Sequence, residues 1–364
     1  MKKQSNLTGV FLFIIIAAVL GIVCYMKFFA DAPPDTELSE APEYSEKVPV
    51  LRWQDGNEAD FHKELTELLL KKVNKVTVSG GKKLTWTDVC KYNFWVENFS
   101  VMESPGNGFI SYEFTYKKDA DFCWSMKNAV DREAESIISC IPEGADDWQK
   151  LLTIHDELIK RISYDKKTDS PHTFDIYGAL VNHKAVCQGY TYAMSYIASM
   201  LGINTAEIYS EDHVWNQTLD SESAEQFIDI TWDDMDEYDK DGNEYIVHNC
   251  FCIEKDQMEK LEDHKTEDKG SYEPTGKGIG DNYYRRMGYY ISSGDLDGMM
   301  NSASEQYLKG SNIIELRFES SDDLDDAEYQ ISAMLGNIGY TGRYYVWKEP
   351  VLNCIAVGLN VPED

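Results

Sequence analysis

Apolar positions recur along this chain in two rhythms, every three to four residues and every second residue, and the rhythms divide it into helices and strands. Phe61, Leu65, Leu68, Leu69 and Val73 predict a helix over 57–73, and residues 109–116 (FISYEFTY) alternate as a strand. Val130, Ala134, Ile137 and Ile138 mark a second helix that stops at Pro142 and Gly144. A third starts behind Asp146 and Asp147 and lines up Trp148, Leu151, Leu152, His155, Leu158, Ile159 and Ile162. His155 on that apolar stripe reads as a satisfied core histidine. A fourth helix, over 187–201, carries Cys187, Tyr190, Thr191, Met194, Ile197, Ala198 and Leu201 on one face and stops at Gly202.

Residues 206–219 and 225–232 alternate polar and apolar around the acidic stretch Asp220-Ser221-Glu222-Ser223 and predict an antiparallel hairpin. With the turn centred on Ser221, His213 stands opposite Asp229 and Trp215 opposite Phe227, all on one face. Beyond a Gly-rich stretch come an aromatic helix-like segment (Tyr283, Tyr284, Met287, Tyr290) and a strand (Ile314, Leu316, Phe318). A helix over 323–335 and two closing strands complete a β-α-β-β tail.

The N-terminus follows neither rhythm. Leu7 to Met26 is an uncharged run of 20 residues, long enough to cross a hydrocarbon layer of roughly 30 Å. Lys2 and Lys3 before it favour a cytoplasmic N-terminus with the rest of the chain outside. The expectation is a single-pass cell-membrane anchor; the alternative is secretion after cleavage at the A-x-A-like Ala30-Asp31-Ala32. Residues 33–47 are acidic and Pro-rich and read as a spacer. The organisation expected is therefore an anchor at 1–32, a linker at 33–47, an α+β lead-in at 48–144, a core at 145–268 and the β-α-β-β tail at 269–364.

Composition narrows the partners more than the fold. The 364 residues carry 34 Lys plus Arg against 64 Asp plus Glu, a net charge of −30, which argues against a nucleic-acid partner. Outside the apolar run lie seven cysteines: Cys90, Cys123, Cys140, Cys187, Cys250, Cys252 and Cys354. With one a free nucleophile, the other six could form three disulfides or remain buried thiols.

Chemistry concentrates at three places. Cys187 sits where the loop 183–186 feeds a helix, so unpaired N–H groups and the positive helix end face its sulfur, a position that favours thiolate. Gly189 leaves room there for a substrate backbone. His213 and Asp229 follow on the hairpin, with Asp229 facing away from Ile228 and Ile230 toward the imidazole, which could offer Nδ1–H. A cysteine at a helix start, then a histidine and an aspartate on strands, supplies a nucleophile, a base and an orienting acid.

Ala185-Val186-Cys187-Gln188-Gly189-Tyr190, Asp212-His213-Val214-Trp215-Asn216 and Ile228-Asp229-Ile230-Thr231-Trp232-Asp233-Asp234 resemble the three core motifs of the bacterial transglutaminase-like superfamily. Ile154-His155-Asp156 to Ile162-Ser163-Tyr164-Asp165 is similar to the segment that precedes that core, and the resemblance spans roughly residues 145–265. It implies an α+β, papain-like core in which the helix bearing Cys187 packs on an antiparallel sheet bearing His213 and Asp229, flanked by small α+β regions. It also implies a thioester intermediate and an oxyanion hole that includes the Cys187 N–H. Its second donor is unassigned: Trp124 and Trp148 lie upstream, where eukaryotic transglutaminases place a tryptophan for that task.

The function expected is an outward-facing cysteine peptidase or amidase acting on protein or cell-wall peptide. Cross-linking of glutamine side chains to lysine amines is the alternative within the same chemistry, and a catalytically silent scaffold the alternative outside it. No cofactor and no metal are expected. Glu237, Asp239, Asp241 and Gly242 start like a calcium loop, but His248 stands where a bidentate Glu is needed, so a solvated acidic turn is the reading. His248, Cys250 and Cys252 read as core packing, as do Trp215 and Trp232, while Tyr164 either lines the cleft or ends a helix.

Overall fold

Helix-forming and strand-forming stretches alternate along the computed structural model, which describes residues 48–53, 58–90, 92–103, 108–218, 226–265 and 282–363. The apolar run and the linker lie outside the described residues, and no helix among the described residues is long and apolar enough to cross a membrane. From Val48 onward the chain is one compact unit of mixed α+β structure.

Strands β1 (Val50–Arg52), β2 (Lys75–Ser79), β3 (Val96–Glu103) and β4 (Phe109–Tyr116) form the first sheet, in the order β1-β2-β4-β3. In β4 the alternation buries Tyr112 and Phe114. Helix α1 (Glu58–Leu70) buries Phe61, Leu65 and Leu69, and a short α2 (Trp86–Cys90) follows β2. Helix α3 (Cys123–Ile138) buries Cys123, Met126, Val130, Ala134 and Ile137, a stripe at helical spacing. Helix α4 (Asp147–Arg161) is fixed at its start by a reciprocal capping box between Asp146 and Gln149, and Lys160 and Arg161 complement its C-terminal end.

Two short parallel strands, β5 (Ser163–Tyr164) and β6 (Lys184–Ala185), bracket α5 (Ile176–Leu180) and lead into α6 (Cys187–Met200). The one-faced stripe expected for α6 is too narrow. Gly189 to Ser195, Ile197 and Ala198 are all buried, because α3, α4 and α5 pack on α6 from one side and the second sheet from the other. Gly202, at φ +75°, ends the turn that follows it.

The second sheet is built from β7 (Thr205–Tyr209), β8 (Val214–Thr218) and β9 (Gln226–Ile228), after which come α7 (Ile230–Asp233), a ribbon of β10 (Asp234–Tyr238) with β11 (Glu244–Ile246), and β12 (Phe251–Glu254). Its order is β12-β9-β8-β7, antiparallel throughout. The expected hairpin is present as β8 and β9, with three corrections, the first being that 206–219 is not one strand but folds back on itself as β7 and β8, with His213 in the turn between them. Asn216 pairs with Ile228 and Gln217 with Phe227, so the register is shifted by two residues from the one expected. The second strand also stops at Ile228, because Asp229 turns the chain into α7. In the acidic turn between β10 and β11 the Asp239 carboxylate accepts from the amides of Asp241 and Asn243.

Beyond α8 (Lys255–Met258), the C-terminal layer contains α9 (Tyr283–Met287), β13 (Tyr290–Ile291), α10 (Leu296–Leu308), β14 (Ile313–Phe318), α11 (Leu324–Asn337), β15 (Tyr344–Glu349) and β16 (Cys354–Leu359). The sheet order is β13-β14-β16-β15. All six residues of β14 are buried, Glu315 and Arg317 included. The seven described cysteines are free thiols, so the disulfide alternative is not realised.

Candidate active site

The loop before Cys187 is held by a buried carboxylate. Asp165 accepts from Thr173 Oγ1 at 2.5 Å and pairs with Lys184 at 3.0 Å, contacts that hold its carboxyl down at about 2. Its amide donates to the Ala185 carbonyl, and the Val186 amide donates to the Thr173 carbonyl. Val186 then starts α6 with no side chain capping it, so the first-turn amides flank the half-buried Cys187. Gly189 does not face open space as expected: a Cβ there would lie 2.5 Å from Ala185 Cβ. It lets the loop pack on the helix instead of admitting a substrate.

Helix and sheet are aligned by polar bonds beside the site. Thr191, one turn after Cys187, donates from Oγ1 to the carbonyl of Val214, the residue after His213, at 3.0 Å. Asn216 Nδ2 donates to the Thr191 carbonyl at 3.1 Å and to Ser195 Oγ at 2.9 Å. His213 stands one residue before β8, in a turn closed by the Ser210 amide donating to its carbonyl.

The structure brings the three expected residues together. His213 Nε2 lies 2.5 Å from Asp229 Oδ2, and Cys187 is near enough to the ring to act on its charge. The expected use of Nδ1 toward the carboxylate is reversed: Nε2 takes that role. The contact does not depend on strand register, because both residues lie just outside the paired strands, His213 in the turn before β8 and Asp229 at the start of α7. Asp229 Oδ1 is occupied by the amides of Thr231 and Trp232, since Asp229 caps α7.

A fourth residue was absent from the expectation. His264, fully buried, places Nε2 2.7 Å from the same Asp229 Oδ2, and its Nδ1 lies 2.8 Å from the Glu262 carbonyl. It stacks edge-on to Trp232 and sits 4.7 Å, centroid to centroid, from Trp215. It lies in the polar stretch 262–268, where no apolar period marks it as inward-facing.

Electrostatics follow from this geometry. Burial alone would raise the Asp229 carboxyl, but His213 and His264 pull it well below the usual carboxylate range. Burial also opposes the His213 imidazolium, yet Asp229 first and Cys187 after it push it up to about 10. Tyr164 is close enough to Cys187 and Asp229 for their charge to add to burial in raising its hydroxyl pKa. Trp215 is buried, as expected for packing, whereas Trp232 is 37% exposed beside His213. Neither upstream tryptophan fits the oxyanion task. Trp148 packs against Phe251 and Tyr283, and Trp124 is exposed beside Lys127 and Tyr196.

His248, Cys250 and Cys252 do not converge. Burial pushes both thiols far up, and His248 turns away from them toward Asp156 and Glu315.

No protein-family model matches the chain, and no curated protein matches it. Solved structures with partial likeness include a TGase, 12% identical over 50% of this chain and 59% of that one, with a TM-score of 0.25. Menin, in a structure that reveals its binding site for the Mixed Lineage Leukemia (MLL) protein, is 18% identical over 39% of this chain and 32% of its own, with a TM-score of 0.25. A third, a putative protease from Parabacteroides distasonis, is 8% identical over 43% of each chain, with a TM-score of 0.21. The chain thus spans less than two thirds of each of these proteins.

Proposed function

We propose that this chain is a cysteine acyl-transfer enzyme with a papain-like, transglutaminase-like core. Cys187 is the nucleophile, His213 the general base and acid, and Asp229 the residue that orients the imidazole. One observation carries the reading: His213 is hydrogen-bonded to the buried Asp229 carboxylate, with Cys187, at the uncapped start of a helix, near enough to raise the imidazole's pKa.

In the reaction, Cys187 Sγ attacks the carbonyl carbon of an amide while its proton resides on His213. The oxyanion that forms takes a hydrogen bond from the Cys187 N–H. The C–N bond then breaks, His213 passes the proton to the departing amine, and the acyl group stays on sulfur as a thioester. Water, giving a proton to His213, attacks the thioester and regenerates the thiol. The substrate class is protein or cell-wall peptide, and the apolar run Leu7 to Met26 holds the enzyme at the outer face of the cell membrane. A lysine amine in place of water would turn the same chemistry into cross-linking.

The test is to incubate the protein with peptide pools and a primary amine and to follow products and the Cys187 adduct by mass spectrometry. The expected result is cleavage through an acyl adduct on Cys187, lost by a factor on the order of 10⁶ in Cys187→Ala. Isopeptide products would instead assign cross-linking. Activity that survives Cys187→Ala would reject the enzyme reading, and no turnover with an inert thiol would favour the silent scaffold.

A further inference from the structure

Away from Cys187, a second set of imidazoles and carboxylates converges from α4, α7, the segment before β12, and β14. His155 Nε2 lies 3.2 Å from Asp233 Oδ2, and its Nδ1 lies 2.9 Å from Asp156 Oδ1. His248 Nδ1 lies 2.9 Å from Glu315 Oε2, and its Nε2 lies 3.1 Å from that same Asp156 oxygen. Each ring therefore has a buried carboxylate behind it, while the two remaining nitrogens meet at one oxygen.

This is how metal-binding imidazoles are held. The outer N–H bonds to a carboxylate, which fixes the tautomer and aims the inner nitrogen's lone pair at the ion. With the outer nitrogens donating, the inner nitrogens meet at that one oxygen, as donors while the rings are protonated and, once a cation displaces those protons, as lone pairs aimed at the ion. The three ligand atoms lie within 4.8 Å of one another, and ligands of a tetrahedral zinc ion stand about 3.3 Å apart.

The cradle is fixed from outside. Glu315 Oε1 accepts from the His248 amide at 2.9 Å and from Tyr284 at 3.3 Å, and Asp233 accepts from the Cys250 amide at 3.0 Å. Tyr283 stacks on the His248 ring with centroids 3.8 Å apart. The cradle is also reachable: the Asp156 side chain is 28% exposed, and a cleft of about 600 Å³ is lined by His248, Tyr283, Glu315 and Lys160.

We propose that His155 Nδ1, the Asp156 carboxylate and His248 Nε2 bind one divalent transition-metal ion of the zinc class, with Asp233 and Glu315 behind the two imidazoles. Two nitrogens and one oxygen suit zinc better than calcium or magnesium, which prefer all-oxygen shells. The sequence reading missed this set because its ligands and the carboxylates behind them are spread over four segments, with Glu315 67 residues beyond His248. The ion would tie α4 to the C-terminal layer through Glu315.

The experiment strips the whole chain with chelator, adds zinc ion, desalts, and measures retained metal, melting temperature and the zinc X-ray absorption edge. The expected result is one retained equivalent, a raised melting temperature, and a nitrogen/oxygen-only shell with two imidazoles. Asp156→Asn, a near-isosteric change at the most exposed ligand, should weaken binding by about tenfold or more, with His248→Gln as the second variant. No retained metal would overturn the proposal and leave an ion-pair network. Sulfur in the shell would place the ion on Cys187, and metal kept in Asp156→Asn but lost in His264→Gln would place it on Asp229; either result overturns the proposal.

Discussion

The Asp229 carboxylate receives four donors, two backbone amides on one oxygen and two imidazoles on the other. Its lowered pKa means that its contribution to stability is present above the ordinary carboxyl range near 3.9 and is lost as the pH falls below it. His213 runs the other way. Raised to about 10, its contribution is full below roughly 6.5 and is lost as the pH rises through the folded value. Since His213 must carry a proton to the leaving amine, turnover should have an alkaline limb set by His213. In Asp229→Asn that limb should move down by about one pH unit or more, read from kcat/KM against pH. His264 draws on the same carboxylate charge. His264→Phe, which keeps the packing against Trp215 and Trp232, should therefore move the limb up, and a downward shift would show that His264 supports His213 and does not compete for Asp229.

At the scale of elements, the position of α6 on the second sheet decides whether sulfur and imidazole meet. Asn216 and Thr191 fasten the two together one turn from the reacting atoms. Asn216→Ala leaves the buried Thr191 carbonyl and Ser195 hydroxyl short of a donor and should cost about 1–3 kcal/mol in urea unfolding. It should also reduce turnover, because the helix loses its fixed height. Much of this was legible: the helix opened by Cys187 and the pair of strands that His213 and Asp229 flank follow from periods of 3.6 and 2. The register was not, because the pairing is centred one residue later than the acidic turn suggests, and turn composition alone does not distinguish the two. Helix α7 was missed because Ile230 and Thr231 are β-branched and continue the alternation of β9, while Asp229 acts as a cap, which the alternation does not reveal.

On the scale of the whole molecule, burial of α6 on all sides makes the core depend on its neighbours. The C-terminal layer joins it through polar groups. Glu315 of β14 binds both the His248 amide and its ring, and Tyr284 of α9 donates to Asn249. A chain truncated after residue 265 should therefore lose cooperative unfolding and expose hydrophobic surface, seen as dye binding and rapid proteolysis. A stable, soluble truncated core would show that the layer is dispensable. Such links were illegible in the sequence because they join residues far apart in it. Glu315 reads as one polar position in an apolar strand until His248 is placed against it.

The most direct test of the central claim is the rate of iodoacetamide alkylation at Cys187 as a function of pH, read by mass spectrometry for wild type and His213→Ala. The account predicts fast alkylation near neutral pH in the wild type and, in the variant, a rate near neutrality that falls to that of an ordinary thiol. Equal rates in the two proteins across the whole pH range would contradict it.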